Sequence, residues 1–319
     1  MQSLEVIAPG LHTTVQDGGR VGFQDVGVPA SGPLDRISLR LANALVGNPE
    51  GTPAFEMLLQ GPTLEVHADS ARVALVGCSA SIEVRSDNPR RIPAGESATL
   101  IRGDVLRVGA LGDSVCAYLA IEGGPDVPQV LGSASTYVRG GIGGFKGRRL
   151  QQHDTVPLKC RRVDARPERA LPGPLDLALD QPIRVVLGPQ ADYFTDAAVE
   201  TFLSSEFTIS PQADRMGYRL EGPALAHAKG YNIVSDGIVT GSIQVPGSGQ
   251  PIVLMVDNQT TGGYPKIATV ISADIPVIGR RKPGRRIRFV AVDVHEAEVL
   301  RKQQDAAVEE QWSRIRIVR

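Results

Sequence analysis

A chain of 319 residues exceeds one compact core of ordinary size, so two domains or subdomains are expected. Its 34 basic and 35 acidic residues leave a net charge of −1, which removes any general electrostatic case for nucleic acid or an anionic membrane. With 35 glycines, 23 prolines and only 4% aromatics, the composition favours many turns and short strands over a helical bundle.

The chain begins Met1-Gln2-Ser3-Leu4-Glu5, without the basic and apolar segments of a signal peptide, and no apolar run approaches the ~20 residues needed to cross a bilayer. Cys78, Cys116 and Cys160 are far apart and odd in number. They point to a reducing cytoplasm with buried thiols rather than a disulfide framework. The histidines, His12, His67, His153, His227 and His295, show no HxH, HExxH or Cys-His spacing, so no tightly bound structural metal is expected.

Leu4 to Ile7 reads as a first strand, stopped at Pro9-Gly10. The polar loop Thr13 to Gly22 follows. Asp17-Gly18 suffices to make its turn, so Gln16 and Arg20 are the better site candidates. Pro33 suits the first turn of a helix that carries Ile37, Leu41, Ala44 and Leu45 on one face and stops at Gly47-Asn48-Pro49. Asp35 falls in its first turn, where a carboxylate suits the helix dipole.

Short strands are expected at Phe55–Leu59, Thr63–Val66, Arg72–Val76, Ser81–Val84, Ala98–Ile101, Asp104–Val108 and Ser114–Glu122, a spacing that argues for a barrel or sandwich. The run Ser133 to Arg149 is glycine-rich and basic. It lacks the P-loop pattern and opens no helix, so it reads as a surface loop or as a lid over an anionic ligand.

Residues 161–180, rich in Pro, Arg and Asp, are assigned as a linker between an N-terminal β subdomain at 1–160 and a C-terminal one at 181–319. The second part opens with strand Ile183–Leu187, then a short helix capped by Thr195 and running through Leu203. The basic run Arg280 to Arg288 reads as a solvated turn before a last strand, Arg286–Val292. Asp293 with Glu296 is a capping-box signature for a charged terminal helix.

The stretch Tyr231 to Val270 carries the strongest functional signal. Ile252–Val256 and Ile267–Ile271 read as buried strands, and between them lies Asp257-Asn258-Gln259-Thr260-Thr261-Gly262-Gly263-Tyr264-Pro265-Lys266. A turn does not need that many hydrogen-bonding side chains, and two adjacent glycines let the backbone approach a ligand.

Several ordered motifs together resemble the biotin-dependent carboxyltransferase family related to urea amidolyase, whose other labels are allophanate hydrolase subunit 2 and the C-type subunit of 5-oxoprolinase. They are Gln16-Asp17-Gly18-Gly19-Arg20, Ser31-Gly32, Gly188-Pro189 with Asp192-Tyr193-Phe194, Asp214 to Leu220, Gly241 with Ile243-Gln244-Val245-Pro246, and Gln259 to Pro265. The resemblance spans nearly the whole chain. It implies a mainly β, cyclophilin-like barrel architecture in two packed halves with a few short helices.

It further implies partner subunits B and A, with which the chain opens 5-oxo-L-proline to L-glutamate at the expense of ATP bound elsewhere on the complex. The alternative is a urea carboxylase-like carboxyltransferase, whose biotin would come from another protein because no lysine here is preceded by Met. A third reading is a non-catalytic regulatory component, since the family includes a member named as the antagonist of a kinase inhibitor.

No G-x-S-x-G elbow or Cys-His constellation is visible, so the chain is expected to bind and position rather than to attack. Arg20 and Arg215 suit a substrate carboxylate or phosphorylated oxygen, because a guanidinium fork matches both. Gln244, Gln259 and Thr260 suit an amide or ureido group, Asp257 would orient them or take a proton, and Lys266 would offset developing negative charge. Gln16, Thr261, Gly262, Gly263 and Tyr264 complete the candidate binding set. The simpler alternatives are an Arg215–Asp214 pair, Lys266 as a strand cap, and Gln244 bonded to a neighbouring backbone.

Overall fold

The structure is a computed structural model and describes residues 2–318. It is mainly β, with four α-helices among the described residues. Two compact units divide the chain. One holds residues 1–20, 31–177 and 307–319, and the other holds 21–30 and 178–306.

The first unit contains a six-stranded sheet and a five-stranded sheet. The six-stranded sheet runs, edge to edge, Thr155–Pro157, Ser3–Ala8, Thr63–Val66, Val105–Val108, Ser81–Arg85 and Arg90–Pro93. The five-stranded sheet runs His12–Gln16, Ala54–Leu58, Cys116–Ile121, Ser70–Val76 and Ser97–Ile101. All of these pairings are antiparallel. Leu4, Val6, Leu64 and Leu106 from the first sheet share one core with Val15, Phe55, Val73 and Leu119 from the second.

The Arg36–Leu45 helix packs on the Cys116–Ile121 and Ser70–Val76 strands, which explains why Cys116–Ile121 is buried at every position rather than alternating. Asp35 is the N-cap of that helix, not a first-turn residue. Its Oδ1 accepts from the Ile37 and Ser38 amides, so a hydrogen bond, and not only the dipole, fixes an aspartate there. Strands Arg90–Pro93 and Thr155–Pro157 were not foreseen. Each is short and sits at the edge of the sheet, and neither carries an apolar run.

The second unit is built on an eight-stranded sheet. Its order is Arg286–Ile287, Phe207–Ile209, Gly217–Glu221, Ile252–Leu254, Ser242–Gln244, Lys266–Val270, Ile183–Leu187 and Phe289–Ala291. The two edge strands are separated in sequence by Arg288 alone, so the sheet curls round into a nearly closed barrel. That bend splits the expected single strand Arg286–Val292 in two.

Phe202 of the Asp196–Ser204 helix stacks on Phe289 with ring centroids 4.5 Å apart, and Phe207 lies 6.1 Å from each. Thr195 caps this helix as its sequence position suggests, accepting from the Ala198 amide. The basic run is not a solvated turn throughout, because Arg280 and Arg281 are buried. Arg281 donates to the Ala178 and Gln181 carbonyls, so guanidinium donors meet backbone acceptors that a spacing argument cannot see. Among the described residues no helix is long and apolar enough to cross a membrane.

Candidate functional site

In the second unit the Ser242–Gln244 strand lies between Ile252–Leu254 and Lys266–Val270. Its register against Lys266–Val270 shifts between Ile243 and Gln244, an irregularity of the kind that re-aims a side chain at the end of a strand. Gln244 is buried. Its Nε2 donates to the Tyr264 carbonyl at 3.4 Å, and its Oε1 accepts from Gln259 Nε2 at 3.4 Å. Both bonds are long for N–H···O and correspondingly weak. Gln244 therefore bonds both a neighbouring backbone and the second candidate amide.

The Gln259–Tyr264 loop owes its shape to a neighbouring segment. Asp236–Gly237 pairs with Thr261–Gly262, the Ile238 amide donates to the Thr260 carbonyl at 2.9 Å, and the Ile233 amide donates to the Gly263 carbonyl at 2.9 Å. Lys266 anchors this segment: its Nζ lies 2.7 Å from Asp236 Oδ2 and 3.3 Å from the Gly237 carbonyl. The Lys266 ammonium, followed by the Gly237 amide, holds the Asp236 carboxyl below the usual carboxylate range.

Gln190 completes the anchor, accepting from the Lys266 amide and donating to Asp236. With the loop backbone spent in this way, the side-chain hydroxyls of Thr260, Thr261 and Tyr264 make no hydrogen bond among the described residues, and Thr261 and Tyr264 are exposed.

Gly262 explains the first glycine of the pair. A Cβ there would sit 2.5 Å from Gln244 Nε2 and 3.1 Å from Ile238 Cδ1. Gly262→Ala is expected to push the Gln244 amide aside and lower turnover at least tenfold while moving the melting temperature by no more than a few degrees. Steady-state kinetics beside a thermal melt checks this. Unchanged turnover would mean that the Gln244 position does not matter.

Arg215 and Asp257 form a closed pair rather than open site groups. Arg215 Nε is 2.8 Å from Asp257 Oδ2 and Nη2 is 3.1 Å from Oδ1, with both residues 5% exposed. The Asp257 amide also donates to the Arg215 carbonyl. Asp214, the simpler partner, instead accepts from the Met216 and Gly217 amides and closes its own turn. Asn258 follows, with Nδ2 donating to the Met255 carbonyl and Thr240 while its buried Oδ1 has no partner.

In the first unit Gln16, Asp17 and Arg20 act on one segment. Asp17 Oδ1 accepts from the Ser133 hydroxyl at 2.5 Å and the Ser135 hydroxyl at 2.6 Å, and Oδ2 accepts from the Ala134 amide at 2.6 Å. Arg20 donates to the Ser135 and Val130 carbonyls, and Gln16 Nε2 to the Thr136 carbonyl. The motif clamps Ser133–Thr136, the start of the glycine-rich run.

That run folds back on itself, with the Gly144 amide donating to the Ala134 carbonyl and Tyr137 paired with Ile142. Gly144 has φ +57°, and a Cβ there would collide with Thr136. Arg148 forks onto Asp154 at 2.7 Å through both nitrogens.

The candidate residues thus fall into two sets. Gln16 and Arg20 belong to the first unit, and the other ten belong to the second. Sequence reasoning passed over Asp17 as a turn residue, and over Asp236, Gln190 and Asn258. The signal for Asp17 was the cluster of Ser133, Ser135 and Thr136, hydroxyls that need buried acceptors.

This barrel and loop arrangement is that of a carboxyltransferase domain. Residues 26–291 match the model of the family described as carboxyltransferase domain, subdomain A and B, and the chain belongs to that family. It is 39% identical over 307 residues to the C-type subunit of 5-oxoprolinase from Escherichia coli (strain K12), covering 96% of this chain and 97% of that one. It is 35% identical to the urea amidolyase of Lachancea kluyveri, covering 96% of this chain and 18% of that protein. The crystal structure of the K. lactis urea amidolyase superposes with a TM-score of 0.89 at 34% identity, over 97% of this chain and 20% of that one.

Proposed function

We propose that this chain is the lactam-binding component of an ATP-dependent 5-oxoprolinase, acting with partner subunits of the B and A kind in the cytoplasm to open 5-oxo-L-proline to L-glutamate. The observation that carries the reading is the Gln244–Gln259 amide pair. The buried Gln244 amide, bonded to the Tyr264 carbonyl and to Gln259 Nε2, steadies the exposed Gln259 amide, whose carbonyl and NH2 suit the N–H and C=O of a lactam. The near end-to-end match with the C-type subunits of 5-oxoprolinase supports the same substrate class.

On this reading the chain holds the ring while the amide resonance is broken by activation supplied elsewhere. Positioning of that kind is worth several orders of magnitude without any nucleophile on this chain. Arg215, through Asp257, fixes the strand ends beside the pair. Lys266, through Asp236, fixes the loop that carries Gln259 to Tyr264.

On this reading ATP binds to the partners rather than to this chain. One common phosphate site is a glycine-rich loop that opens an uncapped helix. The three longer helices instead begin under their own side-chain caps, Asp35, Thr195 and Asp293. The glycine-rich run opens only a three-residue turn of 3-10 helix at Val138–Gly140.

A second reading, carboxyl transfer from a biotinylated partner to urea, is favoured by the fold match with urea amidolyase, and urea would engage the same amide pair. The test is Gln259→Ala in the assembled complex. Gln259 is exposed, so the fold tolerates the change. Losing one hydrogen bond to substrate is expected to lower kcat/KM for 5-oxoproline by about 10- to 100-fold. An unchanged kcat/KM in a fully assembled complex would remove the amide pair from the site.

A further inference from the structure

On the six-stranded sheet of the first unit, Glu5 and Glu65 are directly opposed cross-strand partners. Like charges in that position repel. Among the described residues no lysine or arginine bridges either carboxylate, and their ionic neighbours are histidines. His67 Nε2 lies 3.5 Å from Glu5 Oε2 and 3.5 Å from Glu65 Oε1. His153 Nδ1 lies 3.9 Å from Glu5 Oε1.

The backbone holds these groups in place. The His67 amide donates to the Ser3 carbonyl and the His153 amide to the Val6 carbonyl, so both histidines are tied to the strand that carries Glu5. Glu5, Glu65 and His67 are about a third exposed at their side chains, so the cluster is fixed by its sheet yet open to solutes.

We propose that Glu5, Glu65 and His67, with His153 as a fourth donor, form a site for a divalent transition metal, Zn2+ first among them. One imidazole nitrogen and two carboxylate oxygens are a borderline-hard donor set that suits Zn2+ better than Ca2+ or Mg2+, which take oxygen alone. Bonds of 2.0–2.2 Å around a tetrahedral ion put neighbouring ligand atoms about 3.4 Å apart, close to the two His67 distances.

The ion would join three segments of the sheet: the Ser3–Ala8 strand, the end of the Thr63–Val66 strand, and the turn that leads into Thr155–Pro157. It would also replace the Glu5–Glu65 repulsion by shared coordination. Sequence spacing gave no hint, because the ligands come from three separate stretches of chain.

The experiment is Zn2+ titration of the intact chain by calorimetry, with a thermal melt at each metal concentration. The expected result is one equivalent bound and a rise in melting temperature that grows with Zn2+. Both should be lost in His67→Ala and in Glu65→Gln and kept in His295→Ala, a change to an exposed histidine on the terminal helix. Should a variant fold poorly, visible absorption of bound Co2+ in the unsubstituted protein, displaced by one equivalent of Zn2+, reports the same site. Absence of binding at a hundredfold excess of metal, or binding equal in wild type and both site variants, would overturn the proposal.

Discussion

Arg215→Ala is expected to cost about 3–5 kcal/mol of stability. The reason is asymmetric. The Arg215–Asp257 pair is buried and bidentate, so removing the guanidinium leaves a carboxylate that can neither hydrate nor find another donor. The loss is a charge stranded by the mutation more than a strong bond forfeited.

That distinction has a test. In the Arg215→Ala, Asp257→Ala double variant the stranded charge is gone, so the double variant is expected to be no less stable than Arg215→Ala alone. Chemical denaturation of the three proteins gives the coupling directly. Additive losses would mean that the pair is not coupled in the folded protein. Activity of the complex is expected to fall with the single substitution and to stay low in the double variant, because the strand ends beside Gln244 and Gln259 lose their tie either way.

Asp17→Ala is expected to have a comparable effect in the first unit, about 3–6 kcal/mol, the worth of two hydrogen bonds to a charged group, because the four losses are not additive. Asp17 accepts from the Ser133 and Ser135 hydroxyls and from the Gly19 and Ala134 amides, and alanine leaves all four donors without their carboxylate. Asp17→Asn keeps the size and one acceptor oxygen, so it is expected to lose less than Asp17→Ala.

The specific readout is hydrogen exchange at Ala134 and along Ser135–Gly144, which is expected to quicken before the rest of the unit unfolds. Exchange that quickens evenly across the unit would show that Asp17 supports the core rather than this segment. Gln16→Ala is milder on the same logic, since it removes only the donor to the Thr136 carbonyl and to Thr14.

What could be read in advance follows from the range of the interaction. Thr63–Val66 and Ile183–Leu187 were found at the expected residues, because alternation and turn residues are local properties of the chain. The capping of two helices by Thr195 and Asp293 was legible for the same reason. The roles of charged groups were not. Arg215 was expected to meet a substrate or Asp214, and it meets Asp257, 42 residues on.

Lys266 was expected to offset developing negative charge, and it holds Asp236, 30 residues earlier in the chain. Arg280 and Arg281 looked solvated because a run of basic residues usually is, and only the folded chain brings the Ala178 and Gln181 carbonyls to Arg281. A buried ion pair or a carbonyl acceptor depends on which strands become neighbours, and composition around one residue does not encode that. The amide-rich loop stood out in the sequence because its side chains exceed what a turn requires.

The identity of the substrate is the most direct test. The measurement is ATP hydrolysis by a mixture of this chain with the B-type and A-type subunits proposed as its partners, with 5-oxoproline and, separately, with urea. ATP turnover that requires 5-oxoproline and all three chains, with glutamate formed in step, is the predicted result. An assembled complex that is silent with 5-oxoproline, or that turns over ATP only with urea and a biotinylated partner, would contradict it.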